Sequence, residues 1–305
     1  MSLQVHHTIR HANSWDPFGD IGQQVEFGDS GAFALSAAGD GSNLHLLLAA
    51  TSGELLSTVR QPDRWLPVDR QSAQAQAAEL TTLRTCMVEG NLHACFLTRG
   101  PRNLWHTIRM EGVWHSAGSV SDQVGDQREM ISIGAAIVDG LFHLCALTKN
   151  RELVYTIRFG DRWQAFETIE TSVRFNQVAT TSDGASLHLF AIADDGSLWH
   201  TIRSGGRWSP FGNVSLVVGS PGQFQRVSAA AINGDIHVMA TTRNPLPQGL
   251  WHTIRRATAR WEPWGDATLQ TGPLRPLFQD YVHDLSATAV GGELHTCVLL
   301  ASPPF

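Results

Sequence analysis

Between residues 198 and 203, Leu198, His200 and Ile202 alternate with Trp199, Thr201 and Arg203. Two unlike faces thus emerge from six residues, which is the period-two signature of a β-strand. The same segment returns, with small changes, at Val5 to Arg10, Leu55 to Arg60, Leu104 to Arg109, Leu153 to Arg158 and Leu250 to Arg255. Successive copies start 50, 49, 49, 45 and 52 residues apart. An interval near 50 that runs through the whole chain marks a solenoid, a propeller or an array, and argues against a fold organised around one asymmetric centre.

One unit, read outward from its fifth copy, contains four strand signals. Val227 to Ile232 is small and apolar, and Asn233-Gly234 supplies the residue pair of a tight hairpin turn. Ile236 to Thr241 reads as a second strand. A loop with Pro245 and Pro247 leads to the third at Leu250 to Arg255, and Arg260 to Trp264 begins a fourth. Similar turn signals stand at Asp139-Gly140, Asp183-Gly184 and Gly291-Gly292. Four short antiparallel strands repeated six times predict an all-β, six-bladed β-propeller forming a single domain over 1–305. The blades fall at approximately 30–70, 80–119, 129–168, 174–213 and 225–266, with 284–300 closed by 4–20. The Ala- and Ser-rich first strands, such as Ala32 to Ala38 and Leu285 to Val290, are expected innermost, where blades converge. Because the chain starts on a third strand and finishes after a second, one blade takes two strands from each end. This closure leaves no open sheet edge between the first and last blades, and truncation at either end is expected to cost more than usual.

Composition narrows the partners. Hydrophobic residues make up 42% and charged residues 16%, with a net charge of −6 and a pI near 6.1. Nucleic acid and anionic lipid both call for a basic patch, so neither is expected as main partner. No apolar run is long enough to insert in a membrane. Met-Ser-Leu-Gln-Val-His-His lacks the basic start and apolar stretch of a signal peptide, so the expected location is cytoplasmic, or outside by export without a standard signal peptide. Cys86, Cys95, Cys145 and Cys297 show no CxxC spacing and read as buried free thiols.

Three residue types recur in every unit. A His lies in the second strand (His45, His93, His143, His188, His237, His295), an Arg closes the third (Arg10, Arg60, Arg109, Arg158, Arg203, Arg255), and a Trp opens the fourth (Trp15, Trp65, Trp114, Trp163, Trp208, Trp261). The histidines are too far apart on such a wheel, on the order of 10 Å, to share a metal, so no metal and no cofactor is expected. Their nitrogens are expected to bond to backbone or hydroxyls of the same blade. The arginines have Asp20, Asp69, Asn213 or Asp266 as candidate partners.

Only three units place Trp second in the third strand (Trp105, Trp199, Trp251); the others have His6, Leu56 and Val154. A blade therefore does not need an indole there. An indole beside Thr and Arg offers a flat face for sugar C–H groups and donors for hydroxyls. The candidate ligand-binding sets are Trp105, Thr107 and Arg109; Trp199, Thr201 and Arg203; and Trp251, Thr253 and Arg255, with gap filling between blades as the structural alternative. The long link from Gly265 to Asp284 carries Arg275, Asp280, Tyr281, His283 and Asp284, and is placed to roof one end of the central channel.

The run Leu187-His188, Asp195-Gly196, Leu198 to Arg203 and Arg207-Trp208-Ser209-Pro210-Phe211-Gly212 resembles the repeats of bacterial propeller lectins of the Photorhabdus type, and the likeness covers essentially the whole chain. Those lectins have seven blades and bind fucose or related sugars between them. Six blades occur in fungal fucose-specific lectins, whose repeats look different. The resemblance implies a non-catalytic carbohydrate-binding protein whose partners are glycans or other small molecules, with homo-oligomers possible. Two alternatives stay open. One is an enzyme with a single axial active site drawing on Asp280, Tyr281, His283 or Asp284, though not a sialidase, since Ser-x-Asp-x-Gly-x-Thr-Trp boxes are missing. The other is a protein-interaction platform using an apolar face.

Overall fold

The computed structural model describes residues 4–28, 31–72, 80–243, 249–272 and 281–301, without the side chains of 72, 281 and 301. It is an all-β, six-bladed β-propeller: six antiparallel sheets, each running from an inner first strand to an outer fourth. In the fourth blade, Phe175–Ser182 pairs with Leu187–Ala193, which pairs with Leu198–Ser204. Outermost come two short pieces, Arg207–Trp208 and Gly212–Asn213.

The fourth strand breaks where Pro17, Pro67, Pro210 or Pro263 stands in four of the units, since proline offers no N–H to a ladder. A repeated joint holds it across the break. The residue after each Trp donates its N–H to a third-strand carbonyl, as Ser209 does to Ile202 at 2.8 Å and His115 to Ile108 at 2.8 Å. The third-strand Thr then donates its hydroxyl to that same residue's carbonyl: Thr8 to Asp16, Thr58 to Leu66, Thr107 to His115, Thr156 to Gln164, Thr201 to Ser209 and Thr253 to Glu262, all at 2.5–2.7 Å.

The closing blade joins both ends of the chain. Tyr281–Val290 is its inner strand, Glu293–Ala301 its second and Gln4–His11 its third. Gln4 to Arg10 pair in register with Leu300 to Leu294. Apolar clusters fill the spaces between neighbouring blades. In one of them Val5, Ile21, Cys297 and Leu299 of the closing blade meet Leu35, Leu44, Leu46, Leu48 and Trp65 of the first. All four cysteines are buried and free.

At the axis the first strands approach so closely that only small side chains fit. A Cβ built on Gly39 would lie 2.0 Å from the Ala289 carbonyl oxygen of the neighbouring first strand. Gly39→Ala is therefore expected to cost about 2–3 kcal/mol, the scale of overpacking in a closed core. Gly118→Ala, whose Cβ would meet nothing nearer than 3.8 Å, serves as control. Equal urea midpoints for the two variants would refute the close axial packing.

Candidate functional site

Three layers hold the residues singled out above: an imidazole layer between blades, a ring of indoles at one end of the third strands, and the axial funnel.

In four blades the second-strand His bonds to a second imidazole, from the third strand, where a backbone or hydroxyl partner in the same blade was expected. His93 Nδ1 lies 3.1 Å from His106 Nε2, His188 Nδ1 3.1 Å from His200 Nε2, His237 Nδ1 3.1 Å from His252 Nε2, and His295 Nδ1 3.0 Å from His7 Nε2. The third blade uses the hydroxyl of Tyr155, 2.7 Å from His143 Nδ1. The sequence offered a signal, the third-strand His found in four of the six copies, but the cross-strand diagonal is needed to see the pair. The next blade's Trp then closes edge-on over the third-strand ring: Trp65 on His7, Trp163 on His106, Trp208 on Tyr155, Trp261 on His200 and Trp15 on His252.

The recurrent Arg belongs to this layer too. The Arg203 guanidinium carbon sits 4.6 Å from the centre of the Tyr155 ring in the preceding blade. Burial first, and then a neighbouring cation, pushes the imidazoles down: His93, His143 and His237 to about 4, beside Arg158, Arg203 and Arg10 respectively. His295 is likewise pushed to about 4 by burial and Arg60. The layer is therefore made of neutral rings at pH 7. The proposed Arg partners have other roles: Asp20, Asn213 and Asp266 accept the backbone N–H of Gly22, Leu216 and Thr268. Only Asp69 meets an Arg, and it is Arg109 of the next blade, at 3.7 Å. Among the described residues no cluster of three metal-ligating side chains forms.

One interface departs from the pattern. Ser57 replaces the third-strand imidazole of the first blade, and His45 turns to Asp40 at 2.9 Å. His45 Nδ1, Arg109 Nε and Trp114 Nε1 are left buried without a hydrogen-bond partner.

Each candidate ligand triad is spread along one third strand. Trp199 and Arg203 are four residues apart on it, their Cα atoms about 13 Å from one another. Thr107, Thr201 and Thr253 are at most 4% exposed, and their hydroxyls donate to the joint to the fourth strand. Arg109, Arg203 and Arg255 lie at the other end of the strand from the indoles. The indoles themselves are half-buried and held fast. Trp105 Nε1–H donates to Thr98 Oγ1 at 3.3 Å, Trp251 to Thr242 Oγ1 at 3.2 Å and Trp199 to Ser197 Oγ at 2.8 Å.

The funnel opens on the axis at the end where the first strands begin. Each first strand carries a β-bulge at the same place, where the register to the second strand skips one residue. The skipped residues are Phe33, Thr81, Ile131, Asn176, Gln225 and His283. All six line one cavity of about 470 Å³. Bulges re-aim side chains, and here they turn six unlike ones toward a common centre. Sequence reading reached only His283 of this ring and missed the other five, because these positions do not repeat.

Of the alternative catalytic residues, His283 and Asp284 do line the funnel. Asp280 and Arg275 lie outside the described residues, as does the Tyr281 side chain. Asp284 is 7% exposed, and both its oxygens accept backbone N–H groups, from Leu35 at 3.0 Å and Leu285 at 2.9 Å. Burial lowers the His283 imidazole.

No family model matches the chain, and no curated protein matches it. Solved structures do. SapL1 lectin in complex with α-methyl fucoside superposes with a TM-score of 0.62 at 12% identity, covering 87% of this chain and 86% of that one. The six-bladed lectin of Aleuria aurantia gives 0.59 at 11% identity, covering 86% and 94%. The sialidase of Trypanosoma rangeli, solved with the inhibitor DANA, gives 0.57 at 10% identity, covering 96% of this chain and 58% of that one. The class defined by fold is the six-bladed β-propeller, which both lectins and enzymes use.

Proposed function

We propose that this protein is a non-catalytic, lectin-like carbohydrate-binding protein, with repeated sites between blades that take fucose-type or related sugars. The observation that carries the reading is the set of three half-buried indoles, Trp105, Trp199 and Trp251, locked by hydroxyls at one register in three blades. Rigid aromatic faces suit the C–H side of a sugar ring and lose little entropy on binding. Val154 and Leu56 fill the same position elsewhere at 0% exposure, so the indoles are not required by the fold. The fucoside complex of a propeller of similar fold supports the ligand class.

Trp199→Leu copies the residue found at position 56 and should leave the fold intact. On a glycan array the native protein should retain neutral, fucose-type glycans. Changing all three indoles to Leu should weaken that retention at least about tenfold. An array without hits, or unchanged retention by the triple variant, refutes the proposal.

A further inference from the structure

The axial funnel is built from the one place where the repeats disagree. At the third position after each bulge the first strands carry Ser36, Gly134, Ala179, Ser228 and Ser286, all small, as the crowded axis demands. The second blade has Arg84 there. Its side chain is 13% exposed, and it lines both the upper cavity and the narrower channel of about 290 Å³ below. Arg84 thus forms a floor between the two, the one described residue that lines both cavities.

The floor is cationic and incompletely bonded. Arg84 Nη1 donates to the Leu83 carbonyl at 2.6 Å. Among the described residues its ion-pair partner is Asp284 at 3.8 Å, beyond hydrogen-bond reach and already committed to two backbone N–H groups. Nε and Nη2 of Arg84 make no hydrogen bond among the described residues. From the opposite side of the wheel Arg226 adds a second guanidinium, held by the His283 and Gln225 carbonyls at 2.7 and 3.1 Å, and Arg243 a third at the rim; among the described lining residues the carboxylates are Asp284 and Asp194. Above this floor the wall carries amides and hydroxyls, from Asn176, Gln177, Gln225 and Thr81, with the Phe33 ring beside them.

We propose that the funnel binds one acidic sugar, a polyhydroxylated carboxylate such as a uronic acid, with its carboxylate on Arg84 and its hydroxyls on the amide wall. Guanidinium forks match carboxylates in shape and charge, and amides donate to and accept from hydroxyls. The cavity volume falls within the range of small-molecule sites. The inference rests on the carbohydrate-binding reading but concerns a different place and a different, charged ligand.

Calorimetric titration with D-glucuronate and D-galacturonate, beside D-glucose, D-galactose and acetate, tests it. At least one uronate should bind with a stoichiometry of one, at least about tenfold tighter than its neutral counterpart and than acetate. Arg84→Gln should remove that preference, whereas Trp199→Leu should leave it intact. If Arg84→Gln fails to fold, Ile131→Asp, a bulge residue 36% exposed at the mouth, should weaken uronate binding at least about tenfold by repulsion. Uronates that bind no better than neutral sugars overturn the proposal, even if neutral glycans are retained at the indoles. Equal uronate affinity of native protein and folded Arg84→Gln overturns it too, as does equal affinity of Ile131→Asp where that variant stands in.

Discussion

Acidification from pH 6.5 to 4.5 is expected to unfold the wheel, because the layer between its blades is made of neutral imidazoles. His93, His143, His237 and His295, one from each of four pairs, are held at about 4 in the folded protein, against about 6.5 in an unfolded chain. A folded value below the unfolded one means that the unfolded state binds protons first. The stabilisation is complete above pH 6.5, drains away as pH falls toward 4, and changes no further below that. At pH 5 linkage gives about 2 kcal/mol for each of the four, on the order of 8 kcal/mol together, comparable to the whole stability of an ordinary domain. Their pair partners His7, His106 and His252 are lowered as well, again by burial first. Protonating both rings of a pair sets N–H against N–H where one must accept, so no local adjustment relieves the loss. Urea midpoints measured between pH 7.5 and 4.5 check this, and a midpoint unchanged down to pH 5 would refute it.

The architecture could be read from the chain because a repeat of near 50 residues multiplies every local signal by six. Alternation in Leu198 to Arg203 and the turn at Asn233-Gly234 defined strands, and the offset of the repeats located the shared blade. What repetition could not disclose was which of its recurring residues are framework. Thr201, Arg203 and Trp208 recur because the joint to the fourth strand and the cover over the next imidazole layer recur. Seen along one strand, Thr201 and Arg203 stand beside Trp199 and look like a pocket. Only the pairing across strands shows the Thr hydroxyl turned to the Ser209 carbonyl and the Arg laid on Tyr155 of the preceding blade. The funnel itself was anticipated, but most of its lining was not. Phe33, Thr81, Ile131, Asn176, Gln225 and His283 have no chemistry in common, so a search for repeated residues passes over them. Their kinship lies in the backbone, in a bulge that no sequence period announces.

Deleting residues 1–13 is expected to abolish folding, a far larger effect than removal of a frayed end elsewhere. The deletion strips the third strand from the closing blade and exposes the whole ladder of Leu294 to Leu300. It orphans His295 by removing His7, and takes Val5 and Ile9, 0% and 7% exposed, out of the packed interior. Those two side chains alone contribute about 3–6 kcal/mol on burial, before any hydrogen bond is counted. The outer pieces Ser14–Trp15 and Gly19–Asp20 pair only with the deleted strand in their sheet, so they lose their anchor as well. Trp15 would then leave His252, opening the fifth blade's imidazole layer to water. Damage thus spreads to both neighbours of the closing blade, and because the wheel has no other seam the ring should open as a unit. The truncated chain should show no cooperative thermal transition and no near-ultraviolet circular dichroism, with recovery when a peptide of residues 1–20 is added. A truncated chain that melts cooperatively within about 5 °C of the full one would show that the shared blade does not hold the propeller closed.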